Sequence, residues 1–252
     1  MARPKIVGVI PARYGSTRFE GKPLKHILGR PLLQWVIDGA RRSKKISKLI
    51  VATDDARISK LAEELGVEAT MTDTNLPSGT DRVWAAARDL DFEFIINIQG
   101  DEPLLTGGEL DALATAFEED STLEMATLGR PFKTKEELES PQTAKIVVNH
   151  QSEALYFSRF PIPYSRVHVS AASDFSACLK HIGFYGYTKS FLGRLCAEKP
   201  SQIERAESLE QLRALWLGAK IKVVMTDYDS WGVDTPEDVI RVEKLLRQRS
   251  HA

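Results

Sequence analysis

The chain has 252 residues, with 34 Lys+Arg against 35 Asp+Glu and a formal net charge of −1. Hydrophobic residues at 42% and charged residues at 27% suit a globular protein and exclude a disordered chain, a collagen-like repeat and a bulk nucleic-acid binder driven by excess positive charge. No apolar run approaches the roughly 20 residues that a membrane span needs.

Along the chain, β-branched runs alternate with amphipathic stretches. Ile6-Val7-Gly8-Val9-Ile10 reads as a buried strand, and its five-residue apolar run before Pro11 is too short for a signal-peptide core. Residues 31–40 repeat apolar side chains at helical spacing, with Pro31 suited to a first turn. A second strand is expected at 48–53, then a helix over 56–65 capped by Asp54 or Asp55 and ended by Gly66. A short strand at 67–71, a helix at 81–90 and a fourth strand at 94–98 follow, the last ending in Gln99-Gly100-Asp101. Strand and helix alternating at this pitch mean right-handed βαβ units and a mainly parallel sheet. Beyond residue 120 the pattern is less regular. Strands are expected at 125–129 and 144–148, and an aromatic, Pro- and Ser-rich stretch over 154–187 reads as strands around a long loop near 167–176. A helix at 208–217, a strand at 221–225 and a final helix opening at Asp234-Thr235-Pro236-Glu237-Asp238 complete the chain. The expected fold is α/β with a smaller inserted sheet, in one domain spanning 1–252. Cys178 and Cys196 form no CxxC and no disulfide framework, so both read as small, partly buried residues and the expected compartment is the cytoplasm.

In an open parallel sheet, ligands bind beyond the carboxyl ends of the strands. The loop after the first strand carries Arg13, Arg18 and Lys22 among Gly15, Ser16, Thr17 and Gly21. Small residues let backbone N–H groups approach an anion and the cations neutralise it. Charge alone fits a solvated basic loop equally well, and the clustering at a strand end favours phosphate. The spacing is neither a Walker A loop nor G-x-G-x-x-G. Asp101, in a Gly turn after the fourth strand, suits a hard cation such as Mg²⁺, although turns favour Asp and Gly anyway. Asp234, after the last strand, is a second such acid or else a helix N-cap.

Taken together, several segments resemble the 3-deoxy-manno-octulosonate cytidylyltransferase family. They are Pro11-Ala12-Arg13-Tyr14-Gly15-Ser16-Thr17-Arg18 with Gly21-Lys22-Pro23-Leu24, Val51-Ala52-Thr53-Asp54, Ser78-Gly79-Thr80-Asp81-Arg82, Gln99-Gly100-Asp101-Glu102-Pro103, Ala154-Leu155-Tyr156-Phe157-Ser158-Arg159, His181-Ile182-Gly183-Phe184-Tyr185-Gly186-Tyr187, Glu210-Gln211-Leu212-Arg213 and Gly232-Val233-Asp234-Thr235-Pro236-Glu237-Asp238. They run in order over nearly the whole chain. Phe19-Glu20 stands where the family usually has Leu-Pro, and Gln142-Thr143-Ala144 where it often has Asn and Val.

The resemblance implies a Rossmann-like core of the nucleotide-diphosphosugar transferase type. Its nucleotide-binding part would be about 1–120 and 221–252, and its sugar-binding and dimerisation part about 121–220. It implies Arg13 and Lys22 on the CTP phosphates, Pro11, Ala12, Ser78, Gly79 and Thr80 bordering cytosine and ribose, and Asp101 and Asp234 carrying Mg²⁺. Arg13, Lys22 and Asp101 would be catalytic. Gln99 would serve nucleotide and sugar, and Arg159, His181, Tyr185, Glu210 and Gln211 would hold the sugar acid. Taken singly, Tyr185 reads as core, His181 as a structural hydrogen-bonding residue, Arg159 as an ion-pair partner, and Glu210 and Gln211 as a solvated helix face. The expected reaction joins CMP to a 3-deoxy-octulosonic acid with release of pyrophosphate, for lipopolysaccharide assembly, in a homodimer with no nucleic-acid or membrane partner. The same reaction on the 8-amino analogue stays open. A non-catalytic nucleotide-binding regulator is a rival of another class, and an NAD-dependent oxidoreductase is disfavoured by the missing G-x-G-x-x-G.

Overall fold

The computed structural model describes residues 5–15, 19–164 and 177–249. Their chain contacts divide into two units, Met1–Ala114 with Asp229–Ala252, and Thr115–Tyr228.

The first unit opens with β1 (Ile6–Ala12), whose five leading residues are all buried. A 3₁₀ turn (Lys22–Leu24) and a small antiparallel hairpin, β2 (His26–Ile27) and β3 (Arg30–Pro31), lead into α1 (Leu32–Ala40). Then come β4 (Lys48–Thr53), α2 (Ala56–Glu64), β5 (Glu68–Met71), α3 (Gly79–Ala87) and β6 (Phe94–Asn97). The strands pair in the order β6-β1-β4-β5, all parallel, as the unbroken apolar runs of β1, β4 and β6 require of a sheet covered on both faces. Asp55, not Asp54, caps α2, accepting from Arg57 N. Next is α4 (Gly108–Glu119), which ends in the second unit.

The second unit holds β7 (Met125–Arg130), α5 (Lys135–Glu139), β8 (Lys145–Val148), β9 (Ala154–Ser158), β10 (Leu179–Thr188), α6 (Lys189–Ala197), α7 (Gln202–Glu207), α8 (Gln211–Trp216) and β11 (Ile221–Met225). Its sheet is mixed. β7 pairs antiparallel with β10 and parallel with β11, while β8 pairs antiparallel with β10 and β9. The helix expected over 208–217 is shorter, because Ser208 adopts a left-handed conformation (φ 51°) that ends α7 and separates it from α8. The loop expected near 167–176 lies outside the described residues.

The chain then returns to the first unit through α9 (Pro236–Arg249). Val242 and Leu246 of α9 share a buried cluster with Ile27, Leu32, Leu104 and Val233. That cluster fixes the 229–235 segment beside the loop that follows β6.

Candidate active site

The carboxyl ends of β1 and β6 open onto a cavity of about 280 Å³ in the first unit. Pro11, Ala12 and Arg13 line it from β1, Gln99, Gly100 and Asp101 from β6, and Ser78 and Gly79 from the start of α3. A Cβ on Gly100 would lie 2.8 Å from the Pro11 carbonyl oxygen, so only glycine lets the two strand ends approach this closely. The basic loop is closed by Gly21 N donating to Tyr14 O at 2.9 Å. Gly21 is left-handed (φ 65°) and flush against the Tyr14 ring, which delivers Lys22 directly into the cavity wall.

Lys22 sits between two carboxylates. Its Nζ donates to Asp101 Oδ2 at 2.8 Å and to Asp234 Oδ1 at 3.0 Å. Burial opposes the ammonium, but the charges and hydrogen bonds of Asp101 and then Asp234 outweigh it and hold Lys22 above its ordinary 10.5. The backbone brings the two acids together: Val233 N donates to Asp101 O at 3.0 Å, and the buried Glu102 accepts from Trp231 N at 3.0 Å and from the Ser230 hydroxyl. Asp234 does not cap α9. Thr235 Oγ1 accepts from Asp238 N, and the Asp238 carboxylate accepts from the N–H groups of Asp234 and Thr235, a reciprocal cap that leaves the Asp234 carboxylate to face Lys22.

In the second unit, the His181 ring nitrogen Nε2 is 3.1 Å from Thr127 Oγ1, and the ring packs edge-on against Phe157 and tilted against Tyr185. Burial pushes the imidazole down to about 3, so it is neutral. Burial, and then the charge of Glu210, raises the Tyr185 phenol well above its ordinary value and keeps it a neutral donor. The buried Gln211, at the start of α8, has no partner for its Nε2 among the described residues. The Arg159 guanidinium is largely committed: Nε donates to Glu207 O at 2.9 Å, Nη1 to Pro141 O at 3.0 Å and Nη2 to Ser208 O at 3.2 Å.

Comparison with known proteins decides the family. The sequence model described as cytidylyltransferase matches residues 7–221. The chain belongs to the cytidylyltransferase family. It is 56% identical over 242 residues to a 3-deoxy-manno-octulosonate cytidylyltransferase of Bdellovibrio bacteriovorus, covering 96% of this chain and 98% of that one. A protein of the same name from Syntrophobacter fumaroxidans is 45% identical over 97% of this chain and 98% of its own. A solved CMP:2-keto-3-deoxy-manno-octonic acid synthetase in complex with CTP superposes with a TM-score of 0.91 at 38% identity, covering 97% of this chain and 99% of that chain.

In this cytidylyltransferase the folded chain brings together Pro11, Ala12, Arg13, Lys22, Ser78, Gly79, Gln99, Asp101 and Asp234, all of which line the cavity. Thr80 is buried and does not line it. The Ser78 hydroxyl is spent capping α3, accepting from Asp81 N and donating to Asp81 Oδ2, which leaves its backbone to the cavity. Arg18 lies outside the described residues. Several residues went unassigned from sequence. Arg82, 2% exposed, lines the cavity and pairs at 3.0 Å with the partly buried Asp54, which also accepts from Tyr14 N. Glu207 receives the Ser158 hydroxyl and Arg159 N, and the buried Lys145 ammonium donates to the carbonyls of Ser140, Thr143 and Arg159. Only the recurrence of Asp54 and Arg82 inside the quoted segments could have flagged that pair. No cluster of three or more metal-ligating side chains occurs among the described residues. The Asp101–Asp234 pair nevertheless already holds one positive charge, and two hard carboxylates suit a divalent cation that takes its remaining ligands from water and phosphate oxygens.

Proposed function

We infer that this cytidylyltransferase transfers CMP from CTP to 3-deoxy-manno-octulosonate, releasing pyrophosphate and activating the sugar for lipopolysaccharide assembly. What carries the reading is the 56% identity, over 96% of the chain, to a protein named for that reaction. The sugar's anomeric hydroxyl loses its proton to solvent as its oxygen attacks the α-phosphorus, the bond from that phosphorus to the bridging oxygen of the β-phosphate breaks, and the electron pair leaves with pyrophosphate.

Nucleotidyl transfer asks the protein for positioning and charge neutralisation rather than covalent chemistry. Pro11, Ala12, Gln99 and the Ser78-Gly79 backbone border the nucleoside. Arg13, exposed at the cavity, and Lys22 neutralise the phosphates. Asp101 and Asp234 would hold Mg²⁺, which supplies charge stabilisation and acidifies a bound hydroxyl. Lys22 shares those carboxylates, so its ammonium is within reach of any phosphate that approaches them. For the sugar acid, His181 and Tyr185 offer neutral hydrogen-bonding groups, Gln211 an unspent amide N–H, and Glu210 a carboxylate for hydroxyls. Arg159 serves better as a brace. Three of its five N–H donors bind backbone carbonyls, leaving two for a sugar carboxylate.

No described helix is long and apolar enough to cross a membrane, and a reaction that consumes CTP belongs in the cytoplasm. A homodimer accounts for the apolar side chains that this monomer leaves in water, Phe160 at 74% and Tyr164 at 86% exposure, with Leu155 nearby in sequence at 58%. The deciding experiment is pyrophosphate release with CTP, Mg²⁺ and either 3-deoxy-manno-octulosonate or its 8-amino analogue. Turnover preferring the former is expected. Preference for the analogue would change the substrate, and CTP binding without turnover on either sugar would leave only a nucleotide-binding regulator.

A further inference from the structure

We propose that a second, separate cavity of about 210 Å³ in the first unit is a binding site for a phosphate dianion. Three guanidinium groups, Arg30, Arg42 and Arg249, and one carboxylate, Asp38, line it. The wall therefore carries a net charge of +2 in a chain whose total is −1.

Two of the three guanidiniums are held in place before any ligand arrives. Arg30 pairs with Asp38 and lies over the Trp35 ring, 4.3 Å from its centroid, and the indole is itself fixed by donating from Nε1 to Ile27 O at 2.9 Å. Arg249 Nη1 donates to Leu104 O at 2.9 Å, which leaves its other N–H groups for a ligand. The Arg42 guanidinium has no partner among the described residues. Guanidinium forks match the oxygens of phosphate in pairs, and pre-ordered forks lose little entropy on binding. A net +2 is matched by a dianion better than by a single carboxylate.

The floor is rigid. A Cβ on Gly39 would fall 2.3 Å from Leu105 O, and one on Gly107 (φ 91°) would fall 2.6 Å from Ser43 N and 2.7 Å from Arg42 C. Leu104 and Leu105 belong to the loop that begins with Gln99, Gly100 and Asp101, so one loop lines both cavities. The inference does not depend on which sugar the enzyme takes.

Thermal unfolding of the full chain tests it, with inorganic phosphate as the probe and chloride at equal ionic strength as the reference. Phosphate should raise the wild-type melting temperature by on the order of 3 °C at ten times its dissociation constant. Phosphate also resembles part of CTP, so the nucleotide cavity must be separated. The rise should persist in R13Q/K22Q, disappear in R42Q/R249Q and fall by at least half in R42Q, which removes no hydrogen bond or ion pair among the described residues. Glycerol phosphate run beside inorganic phosphate distinguishes an esterified from a free ligand by which gives the larger rise. Three results overturn the proposal: no phosphate-specific rise in wild type, loss of the rise in R13Q/K22Q, or an undiminished rise in R42Q/R249Q.

Discussion

Lys22 spans two carboxylates that would otherwise face each other, so its removal does two things. A charge-assisted contact to phosphate is worth about 1.5–3 kcal/mol, so Lys22→Met should lower turnover with saturating CTP roughly ten- to hundredfold. It also leaves Asp101 and Asp234 to repel each other across the place the ammonium held. The variant should be less stable than wild type at neutral pH, and Mg²⁺ should restore part of the deficit. Urea midpoints at neutral pH, with and without Mg²⁺, measure both. Asp101→Asn and Asp234→Asn should each cost on the order of a hundredfold in turnover. The double variant should lose less than the product of the singles, because both act through one cation. Pyrophosphate release against Mg²⁺ concentration checks this, and a single variant with wild-type metal dependence would remove that residue from the site. His181 makes a separate prediction. Its imidazole is pushed from 6.5 to about 3, so between these values the unfolded chain binds a proton that the folded chain refuses. The neutral ring's contribution is complete above pH 6.5 and is lost as pH falls toward 3. His181→Gln should flatten the stability–pH curve across that window, as denaturant titrations would record, with no change in slope above it.

At the level of elements, the chemistry depends on how strand and helix ends are finished. Ser78 caps α3, Asp55 caps α2, and Thr235 with Asp238 caps α9. The third of these matters most, because it fixes the backbone of Asp234 while the Asp234 carboxylate faces Lys22. Thr235→Ala should cost about 1 kcal/mol of stability. Since the residue before it is a proposed cation ligand, the same variant should also need more Mg²⁺ for half-maximal turnover. Chemical denaturation gives the first quantity and a Mg²⁺ titration the second. A stability loss with unchanged Mg²⁺ dependence would mean that the Val233–Asp101 backbone bond, and not the cap of α9, positions Asp234.

At the scale of the whole molecule, several large apolar side chains stand in water. In the second unit Phe160 and Tyr164 remain mostly in water, costly for side chains that each bury 150–250 Å² when covered. Light scattering should therefore give twice the chain mass at micromolar concentration. Phe160→Ser with Tyr164→Ser should give the single-chain mass, with the secondary structure seen by circular dichroism intact. Wild type running at the single-chain mass would leave that surface for another partner.

Much of this architecture is local and was open to reading from the chain. Continuous Ile/Val runs specify parallel strands buried on both faces, whatever lies far away in sequence, and β1, β4 and β6 form where those runs stand. Leu110, Leu113, Ala114 and Phe117 carry the same kind of signal, at i, i+3, i+4 and i+7, and would have announced α4. The basic loop, Asp101 and Asp234 were also legible, because each stands at a strand end or helix start where ligands collect. Which groups meet there was not. Lys22 is 79 positions from Asp101 and 212 from Asp234, and Arg82 is 28 from Asp54. No local preference encodes such separations. Tertiary packing also decided that Thr235 rather than Asp234 caps α9, and that the Arg159 guanidinium binds carbonyls near residues 141 and 208. A short polar side chain can cap a helix or face a cavity with almost equal local energy. Only the groups that arrive from elsewhere in the fold break that tie.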